Sequence, residues 1–260
     1  MMNAATQQQT PAWVKRQKHF YTTLPHHHLQ YAPQSLYGAK LSQRLLQLIP
    51  ASSATRMLEV GCGAGRFTLH MLRHFPGQLV GLDLSDTLLE QLRAKLQELP
   101  DTMRSRCRLV SADLYQLDES TVGPGGFDAI VGFFFLHHLD RLTEAIRQLR
   151  RWLRPGGQMI FVEPNRRNPL FLLQVLCCPD MSWAQEKGMF TLGRACLRNS
   201  FTAAGMSMPH MQTFGWFPPQ ILDRWRAALQ LEEWCERQLL FRPILPFRLI
   251  QSHRLDGSPG

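Results

Sequence analysis

No run of about 18 apolar residues, the length a membrane-crossing helix needs, occurs in this 260-residue chain. The opening stretch, Met1 to Thr10, is polar and Gln-rich rather than apolar. That argues against a secretory signal, and the cytoplasm is the expected location. The six cysteines (Cys62, Cys107, Cys177, Cys178, Cys196 and Cys235) never show the C-x-x-C spacing of a zinc site. No metal is expected, and most of these thiols should be reduced, buried and apolar in behaviour. Acidic residues are scarce, 20 against 29 Lys and Arg, for a net charge of +9. Such an excess admits nucleic acid, an anionic membrane or an acidic substrate as partner. The basic residues are spread along the chain rather than gathered in a tail, which weighs against nucleic acid.

What is present is a hydrophobic fraction of 44% in a chain long enough to bury a full core. Residues 1–50 read as an N-terminal arm with a leading helix around Leu41 to Leu48. From residue 51 to residue 260 the pattern is that of one domain. Met57 to Val60, Leu79 to Leu84, Arg108 to Ser111, Phe127 to Phe134 and Gln158 to Glu163 read as strands. Between them lie helical patterns, Phe67 to Phe75, one capped by Ser85, and one marked by Leu142, Ile146, Leu149 and Leu153. Strand alternating with helix predicts a mostly parallel sheet covered on both faces. Past Glu163 the regularity breaks. Insertions that cover the substrate are expected at 165–190 and 218–242. A helix is expected over Thr191 to Gly205, capped by Thr191, and another from about Gln220 to Leu240. Met206 to Phe217 and Ile244 to Ser252 are candidate closing strands.

The sharpest motif is Leu58-Glu59-Val60-Gly61-Cys62-Gly63-Ala64-Gly65, set between a strand and a helix. Glycines allow a tight turn and close approach of backbone to ligand, and the helix beyond offers free N–H groups. The spacing G-x-G-x-G departs from the dinucleotide fingerprint, because Arg66 stands at its third glycine. Asp83 ends the second strand about 20 residues later, where a carboxylate can accept hydrogen bonds from ribose hydroxyls. Asp113, at the end of the third strand, can accept from an adenine amino group; an ordinary turn aspartate is the alternative.

E-V-G-C-G-A-G, G-L-D-L-S, S-A-D-L, F-D-A-I-V-G-F-F-F-L-H-H-L and L-R-P-G-G, in this order between Met57 and Glu163, resemble class I S-adenosylmethionine-dependent methyltransferases. The likeness is strongest to the branch with the ubiquinone and menaquinone biosynthesis enzymes. It implies a Rossmann-like α/β fold with a seven-stranded sheet whose last strand is antiparallel, and S-adenosyl-L-methionine as cofactor. It also implies site residues. Glu59, Gly61 and Gly63 would line the methionine end of the cofactor. Asp83, with Leu84 beside it, would bind ribose and Asp113 the adenine. Leu114 would pack on the adenine face, and Phe133 would sit near the cofactor at the end of the fourth strand.

His137 and His138 follow that strand, at the edge where α/β sheets bind ligands. A hydroxyl nucleophile must lose a proton, and a histidine with pKa ~6.5 suits this, so His138 is the expected general base and His137 the second choice. A helix-start histidine packed in the core is the competing reading. His26-His27-His28 reads as a solvated arm, since neighbours in an extended segment point in alternating directions. Arg147, Arg150, Arg151 and Arg154 fall at helical spacing and predict a basic, solvated helix face. Asn168 to Leu173 and Phe133 to Phe135 are candidates for an apolar pocket wall, or for ordinary core.

The function these features imply is methylation of a small, largely apolar or aromatic metabolite, at oxygen first. Carbon methylation of a quinone-like or polyketide-like ring is the alternative, with RNA methylation or a cofactor-binding non-enzyme behind it. The Asn-Pro-Pro-[Tyr/Phe] motif of many base N-methylating enzymes is missing after the fourth strand. A small-molecule substrate is therefore the expected partner, and nucleic acid is not. Peripheral membrane contact stays open.

Overall fold

The computed structural model describes residues 35–169, 188–217, 225 and 227–255. The N-terminal arm with His26-His27-His28, the apolar stretch Leu170 to Leu176, and Cys177 and Cys178 lie outside the described residues. So do 218–224 of the second expected insertion.

Seven strands form one sheet: β1 Arg56–Val60, β2 Gln78–Asp83, β3 Cys107–Ser111, β4 Phe127–Phe133, β5 Leu153–Pro164, β6 His210–Phe214 and β7 Phe247–His253. Their order is β3-β2-β1-β4-β5-β7-β6. Strands β1 to β5 pair in parallel, and β7 runs antiparallel to both β5 and β6. The fold is thus the Rossmann-like seven-stranded sheet with an antiparallel last strand. The chain leaves β1 toward β2 and β3 on one side and returns to β4 on the other. Outside the C-terminal ends of β1 and β4 lies the crevice of such a switch point, the usual ligand position in open α/β sheets.

Among the described residues six helices of seven residues or more cover the sheet: α1 Leu36–Leu46, α2 Thr68–His74, α3 Asp86–Gln97, α4 Leu142–Arg151, α5 Arg194–Ala203 and α6 Ala228–Arg237. Helix α1 begins earlier than the apolar pattern suggested, because Ser35 Oγ accepts the Gly38 N–H at 3.3 Å and starts it. Its Tyr37, Leu41 and Leu45 are buried with α2 and α3 residues such as Leu72 and Leu92 on one face of the sheet. On the other face Leu142, Ile146 and Leu149 of α4 meet Leu197 and Phe201 of α5. Successive β4 residues serve both sides: Ala129, Val131 and Phe133 the first, Ile130 the second. Burial on both faces is why these strands read as unbroken apolar runs. Each fully buried Leu contributes about 1.5–3 kcal/mol.

Helix boundaries show where local signals misled. Ser85 caps α3 through the Leu88 N–H as expected. Helix α5 is capped at Gly193 without a side-chain bond, and Thr191 Oγ1 donates instead to Gly188 O at 2.7 Å. The described part of the next helix, α6, spans Ala228–Arg237. The arginine stripe is not one solvated face. Arg150 is buried and donates to the carbonyls of Gly205 and Leu255 at 3.0 and 3.3 Å. Arg154 lies in β5 and holds both oxygens of Asp128 at 2.8 Å. Helical spacing alone did not register that the helix ends at Arg151 and that α5 packs over it. No described helix is long and apolar enough to cross a membrane.

Candidate active site

Strand β1 delivers the chain into the glycine turn at the switch point. Gly61 and Cys62 both donate to Leu82 O, at 2.8 and 3.1 Å, which ties the turn to the end of β2. Two of its glycines do different jobs. At Gly65 (φ +83°) a Cβ would fall 2.2 Å from Leu92 of α3, so this residue is packed into the fold. At Gly63 (φ +50°) the nearest atoms to such a Cβ are Leu88 Cδ1 at 3.8 Å and Asp83 Oδ2 at 4.0 Å. Gly63 thus turns a clear face toward the crevice.

Two carboxyls lie under that face. Asp83 Oδ2 accepts the Gly63 N–H at 2.7 Å and Oδ1 the Ser85 N–H at 2.9 Å. Burial raises its pKa, opposed by the N–H groups of Ser85, Gly63 and Leu84. Three N–H groups leave this carboxylate one further acceptor site for a ligand hydroxyl. Glu59 is buried in β1 and accepts from Thr68 Oγ1 at 2.6 Å. Burial pushes it up to about 8, with the Thr68 bond opposing and the Asp83 charge adding. Among the described residues neither carboxyl forms an ion pair. An acidic pocket under an open glycine turn suits a ligand with positive charge and vicinal hydroxyls. S-adenosylmethionine has both, so the residues fit it.

Beside this pocket, Asp83 pairs in register with Ser111 of β3, and Asp113 follows two residues on. Asp113 Oδ1 accepts the Tyr115 N–H at 3.0 Å and so starts the short turn Leu114–Gln116. Leu84 is half-buried, and Leu114 is buried against the second core face. Arg66 spreads its guanidinium near the rings of Tyr37, Phe67 and Phe134, 4.9–5.7 Å from their centroids.

The end of β4 brings the histidines to the same edge. Phe133 is buried and stacks on Phe67 at 4.1 Å, on the α2 side. Phe134 has φ +54°, the one positive value outside glycine among the described residues, a strain typical of functional edges. Beyond this bend the Phe135 ring lies over Gly61, 2.6 Å from where a Cβ would stand. The turn Leu136–His138 is then held by one buried carboxylate from β5. Glu163 Oε1 accepts the N–H groups of Phe135 and Leu136 at 2.8 and 2.7 Å, and Oε2 meets His137 Nδ1 at 2.7 Å. This bond favours the proton on Nδ1 of His137. His137 is buried, His138 half-buried, and their rings lie 3.9 Å apart. Burial, then the neighbouring His137, holds His138 well below the usual histidine range. Phe135 was one of the candidate pocket-wall residues, whereas Glu163 was not singled out from the sequence. The available signal for Glu163 was an acidic residue closing a strand that is otherwise apolar.

Among the described residues no group of three or more His, Cys, Asp or Glu could hold a metal. Cys62, Cys107, Cys196 and Cys235 are free thiols. Burial raises Cys62 well above the ordinary thiol value and Cys107 to about 12, so neither offers a ready thiolate.

Residues 58–159, the stretch that carries this edge, match the family described as a methyltransferase domain. A malonyl-[acyl-carrier protein] O-methyltransferase of Halalkalibacterium halodurans is 30% identical over 129 residues, 47% of this chain and 46% of that protein. A tRNA N(3)-cytidine methyltransferase of Mus musculus is 35% identical over 170 residues, 60% of this chain and 42% of that protein. The chain therefore spans less than half the length of these two curated relatives. Among solved structures, a phosphoethanolamine N-methyltransferase of Haemonchus contortus bound to S-adenosyl-L-methionine aligns at TM-score 0.58. It has 14% identity and covers 83% of this chain and 52% of that one, so it speaks to the fold. Motif order, sheet topology and the matched stretch agree: residues 58–159 are similar to a methyltransferase domain, and the sheet is the Rossmann-like one expected of class I S-adenosylmethionine-dependent methyltransferases.

Proposed function

We propose that this domain methylates an oxygen of a small, largely apolar or aromatic metabolite, with His138 accepting the hydroxyl proton. The observation that carries the reading is the Glu163–His137–His138 arrangement, one ring away from the glycine turn. When bound, S-adenosylmethionine supplies a methyl on positively charged sulfur, so the protein has chiefly to align the acceptor. In this reading Glu59, Gly61 and Gly63 hold the methionine end. Asp83, with Leu84 beside it, accepts from the ribose hydroxyls, Asp113 accepts from the adenine amino group, and Leu114 backs the ring. Phe133 supports the site from behind Phe67, and Phe135 flanks the turn. The depressed pKa of His138 keeps its ring neutral, with a free lone pair, at pH 7. Glu163 acts through His137, as a positioning residue.

The relative named as an O-methyltransferase supports oxygen as acceptor, and the one named for tRNA supplies the competing class. His138→Gln should lower turnover ~10²–10⁴-fold and leave cofactor affinity intact. A variant that keeps more than about half the parental rate is incompatible with His138 as an essential base. With the histidine lowered, turnover should stay flat through neutrality and fall only well below pH ~6.5. A methyl-transfer screen over phenols, quinones and RNA tests the acceptor class, and transfer to RNA alone would overturn it.

A further inference from the structure

Four arginines meet where β5 ends and α5 begins, past the Glu163–His137 pair. Arg166 and Arg167 follow β5, Arg194 opens α5, and Arg248 comes from β7. Arg248 is 5% exposed. It donates to Leu192 O at 2.8 Å and Asn165 Oδ1 at 3.2 Å, and so ends between the two segments that carry the other three. Among the described residues its buried Nε has no hydrogen-bond partner. The charges of Arg194, Arg166 and Arg167 all bear on it and lower its pKa after burial itself, with Glu163 opposing.

Arg166 donates to Phe190 O at 2.8 Å, and its guanidinium lies 3.4 Å from where a Cβ of Gly193 would stand. Gly193 is the cap of α5, a ten-residue helix whose first N–H groups receive no side-chain oxygen. A helix N-terminus carries partial positive charge, so guanidinium groups there are repelled unless an anion joins them. Among the described residues no carboxylate forms an ion pair with Arg166, Arg167, Arg194 or Arg248. Glu163, the acid whose charge bears on Arg248, has both oxygens engaged by Phe135, Leu136 and His137.

We propose that this junction of β5, β7 and α5 is an oxyanion subsite, holding a phosphate or carboxylate carried by the methyl acceptor. The assignment rests on the methyltransferase reading and sharpens it: the acceptor joins an apolar part near Phe135 to an anionic group. Arginine forks match both oxyanions in geometry, and the start of α5 adds backbone donors.

Calorimetry with phenyl phosphate, inorganic phosphate and S-adenosylhomocysteine tests it on the full chain. Arg166→Gln and Arg194→Gln change exposed side chains and should leave the fold intact. Each is expected to weaken phenyl phosphate about tenfold or more. Arg93→Gln removes the same charge from exposed α3 surface and should change nothing. Phenyl phosphate should bind about tenfold tighter than inorganic phosphate if the apolar part enters the site. Equal affinity of the two, or equal weakening by Arg93→Gln, would overturn the subsite. A short RNA that outcompetes phenyl phosphate with a steep salt dependence would overturn it as well. S-adenosylhomocysteine affinity is read separately in the same samples: its loss in the parent speaks against the methyltransferase reading, not against the arginines.

Discussion

The two ends of the crevice are built on opposite plans. The end proposed for the cofactor is local: Glu59, Gly61, Gly63 and Thr68 follow one another within ten residues, and Asp83 closes the next strand. The end proposed for the acceptor is assembled from afar, with His137 bonded to Glu163 26 residues on and Arg248 to Asn165 83 residues back. A local turn can carry a signature that survives large changes elsewhere. A long-range cluster exists only once β4, β5 and β7 are side by side. Among the described residues the first end holds two carboxyls outside any ion pair and the second four arginines outside any ion pair, so each suits a ligand part of opposite charge.

The comparison breaks most visibly at Asp83. Asp83→Ala removes the carboxylate proposed for the ribose hydroxyls, with an expected loss of about 1.5–3 kcal/mol in cofactor binding. Calorimetry should show it without any change in phenyl phosphate affinity. Equal cofactor affinity in both proteins would detach Asp83 from the site.

The two glycines separate packing from binding within one turn. Gly65→Ala forces a methyl onto Leu92 at positive φ and should destabilise the fold by about 1–3 kcal/mol, read as a lowered Tm. At Gly63 a Cβ makes only ordinary contact with Leu88 and Asp83, so backbone strain of about 1–2 kcal/mol is the main cost expected of Gly63→Val. Its methyls would enter the crevice and block the cofactor. Tight cofactor binding by a folded Gly63→Val protein would contradict the assignment of this turn.

The smallest effect concerns Glu59 and pH. Its pKa in the fold is about 8, above the ordinary 4.5. The group's contribution is therefore fully present below about pH 4.5 and is lost as pH rises through 8. Glu59→Gln, neutral at every pH, should raise Tm relative to the parent at pH 8 and match it near pH 4. The same variant should bind cofactor more weakly, since it lacks the charge that a cationic ligand would draw out. A Tm difference independent of pH would show that Glu59 is not held protonated by burial.

The order of motifs between Met57 and Glu163 determined the domain class, the sheet and the cofactor turn, because a strand, a glycine turn and a helix cap are short-range structures with short-range signals. Ser85 illustrates this, since its cap is written within three residues. Thr191 and the arginine stripe show the limit: the same local cues were present, but α5 starts at Gly193 and Arg150 is buried beneath it. Only the tertiary structure decided that Glu163 holds the histidine turn. It likewise moved His138 out of the usual histidine range and gathered four arginines at one helix start. Each of these depends on strands distant in sequence being hydrogen-bonded side by side, and on burial, which no local pattern of residues encodes.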